Sequence, residues 1–243
     1  MRLDVYLTEN GLCKSRTAAQ NLIKNEGVTV NGKAVTKPSA EVADGDVVEI
    51  TGEQLRYVGR GGLKLEAALE CCDFLNLNGA VCVDIGASTG GFTDCMLQNG
   101  AAKVYAVDVG TDQLDEKLRC DSRVVSMEKT DIRTAQLPEL ADFIGTDVSF
   151  ISLKAVLPHI HRLLKHDYYA VALIKPQFEA GRAALSKKGV VRDEKTRLRV
   201  VEDIKQFAQQ CGFCVSATMH SPIQGGDGNT EYLLCIRKIS EAV

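Results

Sequence analysis

Short, continuous apolar runs alternate with stretches whose apolar residues recur at helical spacing. Val104–Val107 and Tyr169–Ile174 fill consecutive positions with apolar residues, and Val81–Ile85 does so except at Asp84, the pattern of strands buried on both faces. Val124–Val125 and 143–149, the latter ending near Asp147, read as further strands, and Phe213–Thr218 and Glu231–Ile236 as the last two. Between them, Phe92–Gln98, Ile151–Leu164 (with Pro158 inside it) and Glu194–Gln210 read as helices. This alternation predicts a doubly wound, mostly parallel sheet with helices on both faces, a Rossmann-like α/β fold.

Residues 1–52 have a different rhythm. Leu3, Leu7 and Leu12 form a short helical pattern. Ser15 is placed to cap a second helix, with Ala18, Ala19, Leu22 and Ile23 on one face and Gly27 at its end. Val28–Val30, Asn31-Gly32 and Lys33–Val35 spell a hairpin with a type I′ turn, and Val47–Ile50 adds a strand. The expected organisation is a small α+β domain over 1–52, a linker over 53–58 and the α/β domain over 59–243.

Composition narrows the setting. The chain of 243 residues is 45% hydrophobic and 25% charged, ordinary for a water-soluble protein. No apolar run approaches the roughly 20 residues of a membrane-spanning helix, and the N-terminus lacks a signal peptide's apolar core. Nine cysteines, with Cys13, Cys82 and Cys235 inside apolar patterns, suit reduced core residues in a cytoplasmic protein. Cys211 and Cys214 form the one Cys-x-x-Cys; without a second pair it reads as a helix-to-strand turn, and no metal is expected. The net charge is −3, so a nucleic-acid partner would be held by local basic patches. Three patches stand out: Lys14, Arg16, Lys24, Lys33 and Lys37 in the first domain; Arg56, Arg60 and Lys64; and a loop-to-helix stretch starting with Arg182, Lys187 and Lys188. Each suits a solvated face or a path for a phosphate backbone.

The chemistry centres on Val81–Gly91. A buried strand runs into a loop with Gly86, Gly90 and Gly91, which allow close backbone approach to a ligand. Asp108 follows the next strand, near the spacing at which an acid meets ribose hydroxyls in a nucleotide-binding unit. Alone, Gly-x-x-x-Gly-Gly also suits a plain turn; with Asp84 before it and Asp108 after it, a cofactor site is the favoured reading. Ligands of such sheets bind beyond the strands' carboxyl ends, so Asp84, Asp108, Asp147 and Lys175 should share one rim. Lys64 falls in the first turn of a helix, against the helix dipole.

Two resemblances sharpen this. Arg2-Leu-Asp-x-x-Leu, Gly11-Leu, Ser15-Arg16, Leu22-Ile23 and Val28-x-Val-Asn-Gly32 resemble the S4 RNA-binding domain. The whole chain resembles the TlyA family, an S4 domain fused to an FtsJ-like methyltransferase. The matching stretches are Val58-Gly-Arg-Gly-Gly-Leu-Lys-Leu65, Asp84-Ile-Gly-Ala-Ser-Thr-Gly-Gly-Phe-Thr93, Asp147-Val-Ser-Phe-Ile-Ser-Leu153, Lys175-Pro-Gln-Phe-Glu179, Lys188-Gly-Val-Val191 and Gly228-Asn-Thr-Glu-Tyr232. The resemblance implies a seven-stranded sheet, S-adenosylmethionine as cofactor and 2′-O-methylation of ribosomal RNA, on cytidine of 16S and/or 23S rRNA; the residues leave open whether the substrate is free RNA, a subunit or a whole ribosome. It maps a Lys-Asp-Lys-Glu tetrad onto Lys64, Asp147, Lys175 and Glu231. Asp84, Gly86, Ala87, Ser88, Thr89, Gly90, Gly91 and Phe92 would cradle the methionine part. Asp108 would take the ribose, and Asp131 and Ile132 would border the adenine, although Asp131 stands where the family often has asparagine. Lys175 is the assigned base, or, if it stays charged, the group that orients the hydroxyl and stabilises the developing alkoxide.

Three other readings compete. A nicotinamide-dependent oxidoreductase lacks its glycine fingerprint here. A non-catalytic RNA-binding scaffold would not need the tetrad. A pore-forming haemolysin, a label this family often carries, has no membrane segment to support it.

Overall fold

The structure, a computed structural model, describes residues 1–13, 15–24, 27–51, 56–225 and 228–240. It divides into two units, Met1–Gly59 and Arg60–Val243. Residues 53–55 of the expected linker lie outside the described residues, as does Lys14.

In the first unit, α1 (Leu3–Glu9) and α2 (Arg16–Lys24) pack over β1 (Val28–Val30), β2 (Lys33–Ala34) and β3 (Val48–Ile50). The Ser15 hydroxyl accepts from the Ala18 N–H at 3.2 Å, the expected cap. Asn31 (φ 52°) and Gly32 (φ 74°) both take the left-handed conformation that a type I′ turn requires. The sheet order is β2-β1-β3, antiparallel throughout. Leu3, Leu7, Leu22, Ile23 and Val28 form the core.

The second unit runs α3 (Gly61–Cys71), β4 (Val81–Ile85), α4 (Gly91–Gln98), β5 (Lys103–Val107), α5 (Glu116–Arg119), β6 (Val124–Met127) and β7 (Ala141–Thr146). It continues with α6 (Leu157–Leu163), β8 (Leu164–Ile174), α7 (Pro176–Glu179), α8 (Glu194–Gln210), β9 (Phe213–His220) and β10 (Tyr232–Lys238). The seven strands are ordered β6-β5-β4-β7-β8-β10-β9. β6 to β8 are parallel, and β10 lies antiparallel between β8 and β9. After β6 the chain returns to the other side of β4, so the topology switches between β4 and β7. The crevice beyond their carboxyl ends is where such sheets bind ligands.

Strand alternation decides which side chains face that crevice's walls. Val83, Ile85, Ile144, Ala172 and Leu234 enter one core with Leu157 and Ile160 of α6 and Val200, Ile204 and Ala208 of α8. The intervening residues face α3 and α4. A Cβ on Gly145 would lie 2.6 Å from the Met96 methyl and 2.8 Å from the Phe92 ring, so α4 sits directly on β7 there. Asp84 shares this face.

Several boundaries differ from the sequence pattern. Residues 151–164 are not one helix: Leu153–Ala155 form a 3₁₀ turn, and α6 begins at Leu157 with Pro158 in its first turn. There proline's missing N–H removes no helical hydrogen bond. β8 starts at Leu164, ahead of the apolar run, because ladder pairing with Ala141 uses backbone rather than side chains. α5 and α7 have 4 residues each, too few for a periodic signal. Among the described residues no helix is long and apolar enough to cross a membrane.

Candidate active site

The glycine loop is shaped by what surrounds it. Gly86 (φ 83°) follows β4, and its N–H donates to the Val107 carbonyl at 2.9 Å. A Cβ there would lie 2.6 Å from the Asp147 carbonyl oxygen, so the approach of the loop to the end of β7 requires glycine. Asp108 braces the loop from the side, accepting from the N–H groups of Ser88 and Gly110, both at 2.7 Å.

Asp84 is fully buried beneath this loop. Its Oδ2 accepts from the Thr93 N–H at 2.9 Å and the Thr93 hydroxyl at 2.6 Å. Its Oδ1 is buried with no hydrogen-bond partner among the described residues. Burial pushes the Asp84 carboxyl up to about 7; the Thr93 bonds oppose this, and the charges of Asp147 and Asp108 add to it. A buried acceptor without a donor, beside a loop that only glycine fits, suits a ligand presenting an ammonium or N–H group.

A second set of charges lies next to it. The Lys64 ammonium of α3 is 2.8 Å from Glu231 Oε2 and 3.2 Å from Asp147 Oδ2. The Lys175 ammonium, just past β8, is 2.5 Å from Asp147 Oδ1 and donates to the Ser149 hydroxyl at 2.8 Å. Lys64, Lys175 and Glu231 are all buried. Such an arrangement is tolerable only because each charge has an opposite partner. Gly225 makes room for Glu231, since a Cβ there would strike its carboxylate.

The two sets meet at one cavity of about 200 Å³, lined by Asp84, Gly86–Thr89, Gly91 and Phe92 on one side and Gly61, Asp147, Ser149 and Lys175 on the other. Lys64 and Glu231 stand behind that wall, in contact with it through Asp147. The expected tetrad is thus gathered in space, and most of the expected loop residues line the cavity. Gly90, Asp108, Asp131 and Ile132 are not in the lining. Asp131 instead holds Arg133, accepting from Nη2 at 2.6 Å and Nε at 3.0 Å, and that guanidinium draws its carboxyl down to about 2. Ile132 is in the main core.

Residues that sequence reasoning passed over are Gly61, Thr93, Ser149 and Phe150. Thr93 and Ser149 sit inside matched stretches, yet nothing in the sequence says which carboxylate or ammonium they meet. Phe150 is 91% exposed with φ 63°, a conformation unfavourable for a bulky residue. Its ring lies 5.1 Å from that of Phe178. Of the expected RNA-contacting residues, Arg16, Lys24, Lys33 and Lys37 are exposed on the first unit. Arg56, Arg60, Arg182, Lys187 and Lys188 are exposed as well.

Comparison with known proteins gives this geometry a family. The profile of the FtsJ-like methyltransferases matches residues 57–238. The chain belongs to the FtsJ-like methyltransferase family. The S4 domain matches residues 1–48, so this FtsJ-like enzyme carries an S4 domain at its N-terminus. Among its relatives, YqxC of Bacillus subtilis, provisionally titled an rRNA methyltransferase, is 46% identical over 96% of this chain and 84% of that protein. The 16S/23S rRNA (cytidine-2′-O)-methyltransferase TlyA of Mycobacterium tuberculosis is 40% identical over 97% of this chain and 89% of that one. A solved structure from Streptococcus thermophilus, provisionally titled a hemolysin, is 46% identical with a TM-score of 0.78, covering 99% of this chain and 89% of that one. An FtsJ-like methyltransferase is an enzyme that uses S-adenosylmethionine, and the unpartnered Oδ1 of Asp84 would suit an ammonium such as that cofactor carries.

Proposed function

We propose that this protein methylates the ribose 2′-hydroxyl of cytidine in ribosomal RNA, working on ribosomal RNA or subunits in the cytoplasm. The observation that carries the reading is the Lys64–Asp147–Lys175–Glu231 cluster, which presents Lys175 and Asp147 to the cavity that the glycine loop closes. When bound, S-adenosylmethionine supplies a methyl group on a cationic sulfur, and the sulfur keeps the electron pair of the bond that breaks.

The chain's own residues do the rest. Asp84 and the Gly86–Phe92 segment seat the methionine part of the cofactor. Asp108 retains lone pairs beside its two N–H bonds and takes the ribose hydroxyls of the cofactor. Asp131 and Ile132 border the adenine. Lys175 orients the substrate hydroxyl and takes its proton or, if still charged, stabilises the alkoxide as it forms. Asp147 holds Lys175 and Lys64 together, and Glu231 anchors Lys64. Holding hydroxyl and methyl group in line can supply much of the reduction in the barrier. Phe150 offers an exposed ring on which an unstacked base can lie. Lys14, Arg16, Lys24, Lys33, Lys37, Arg56, Arg60, Arg182, Lys187 and Lys188 contact the RNA backbone, so binding weakens as salt rises.

The test is incubation with methyl-labelled S-adenosylmethionine and undermethylated ribosomal subunits, beside Lys175→Ala. Label in cytidine ribose, absent with the variant, is the expected result. No label on any subunit, despite measurable cofactor binding, would remove the ribosomal substrate.

A further inference from the structure

Lys64 and Lys175 differ in what holds them. Lys64 faces two carboxylates, Asp147 and Glu231. Among the described residues Lys175 faces one, Asp147, and its second short contact is a neutral hydroxyl: Ser149 Oγ, at 2.8 Å. The Phe178 ring, 5.9 Å from the ammonium, completes its surroundings. Asp147 and Ser149 come from the same turn after β7, so one short segment grips Lys175 at two points. That segment is itself fixed at both ends. The Asp147 N–H donates to the Ile85 carbonyl at 3.0 Å. Downstream, Glu179 accepts from the Ser152 hydroxyl at 2.6 Å and the Leu153 N–H at 2.7 Å.

Ser149 lines the cavity and is exposed to solvent. The bond it makes is part-buried, with the Lys175 side chain buried and the Ser149 side reached by solvent, so it offers folding no more than a fraction of what a fully buried bond to a charged group does. Its placement is therefore poorly explained by stability. It is well placed to aim an ammonium, since it fixes a second direction beside the ion pair with Asp147.

We infer that Ser149 is a positioning residue for methyl transfer: its hydroxyl holds the Lys175 amine over the cavity with a neutral acceptor, where a second carboxylate would hold it as a permanent cation. The inference rests on the proposed role of Lys175. It differs from that role in naming which neighbour sets the amine's direction and why that neighbour carries no charge. Where Lys175 enters the reaction as the neutral amine, the proton leaving the ribose hydroxyl ends on its Nζ; where it stays an ammonium, that proton passes to solvent; in either case Ser149 neither gains nor loses one over the cycle.

Three variants test it in the full-length protein: Ser149→Ala, which removes the acceptor; Ser149→Thr, which keeps it; and Ser149→Asp, which adds charge. Ser149→Ala should lower kcat roughly tenfold, the effect of one charge-assisted bond, with little change in KM for ribosomal subunits. Ser149→Thr should restore most of the rate. Ser149→Asp should be slower than Ser149→Ala, although it offers Lys175 a stronger acceptor. Two readouts do not depend on turnover. Affinity for sinefungin, a non-reactive cofactor analogue, should stay within about twofold in all three variants. A crystal structure of Ser149→Ala should show the Lys175 amine displaced. Wild-type kcat in Ser149→Ala, or an unmoved Lys175, would overturn the positioning role. Full activity in Ser149→Asp would overturn the requirement for a neutral acceptor. Absence of methyl transfer by the wild-type protein would instead count against the function proposed above.

Discussion

Each unit of this protein buries acids among bases, and the two do so for different ends. In the N-terminal unit, Asp4 is fully buried and accepts four bonds: from Arg2 Nε at 2.9 Å and Nη2 at 3.0 Å, Arg16 Nε at 3.0 Å and Gln20 Nε2 at 2.8 Å. The bases there keep about half of their side chains in solvent. In the methyltransferase unit the lysines are buried too, with side-chain exposures of 9% and 10%. One arrangement satisfies a buried acid while its bases, though paired with it, stay half in water. The other removes both signs of charge from water, which costs stability unless every member stays paired.

The sharpest way to break that contrast is to remove one buried base. Lys64→Ala leaves Glu231, 2% exposed in its side chain, without its cation. It should destabilise the protein by about 3–5 kcal/mol and reduce methyl transfer by roughly 10²–10⁴-fold, read by denaturant unfolding and label incorporation. The pair Lys64→Met with Glu231→Leu should regain most of the stability and none of the activity. If the double variant were active, the cluster would be packing rather than catalytic machinery.

Asp84 gives a smaller and pH-dependent effect. Its carboxyl is raised from 3.8 to about 7, so between those values the unfolded chain is ionised while the folded protein keeps its proton. Stability therefore falls as pH rises from about 4 to about 7, then levels off, with a total penalty of roughly 4 kcal/mol. Asp84→Asn removes the titration and should gain roughly 2–3 kcal/mol relative to wild type between pH 5 and pH 8, as read by urea unfolding. Wild-type affinity for the cofactor should strengthen as pH rises through about 7, because the ionised carboxylate pairs with the ammonium. Asp84→Asn should bind weakly at every pH.

Asp4 should show the smallest effect and the opposite sign. The Arg2 guanidinium, with Gln20 and Arg16, holds its carboxyl well below the usual range. That stabilisation is present above about pH 4 and is lost as acid protonates the group. Asp4→Asn should cost about 1–2 kcal/mol at pH 7, and the deficit should shrink as pH falls toward 3. Equal pH profiles for Asp4→Asn and Asp84→Asn would erase the distinction between the two kinds of buried acid.

The same contrast explains which features are legible in the sequence. The partners of the Asp4 carboxylate all lie within 16 residues of it along the chain, and local signals fix their elements: the Ser15 cap and the leucine spacing, with the Asn31-Gly32 turn following. The continuous apolar runs likewise announce the buried strands β4, β5 and the later part of β8, and the glycine loop announces a ligand. Edges are less legible. The 3₁₀ turn before α6 and the polar start of β8 depend on partners far along the chain, and a single-turn helix carries no period to detect.

Residue identity, by itself, determined that four charged residues stand next to strand or helix ends and that Gly86 must bend where side-chain residues strain. Which charge meets which was left to the fold. Lys64 and Glu231 are 167 residues apart, and Lys175 and Ser149 are 26. Only the β4–β7 switch and the return of β10 bring them together. The orphaned oxygen of Asp84 has the same origin: a strand's alternation aims it at α4, and only the packed helix supplies Thr93 to one oxygen and nothing to the other. Local free energies select turns, caps and strands because their partners are close in the chain. A buried charge finds its partner through the tertiary fold, because only a packed interior excludes the water that would otherwise satisfy it.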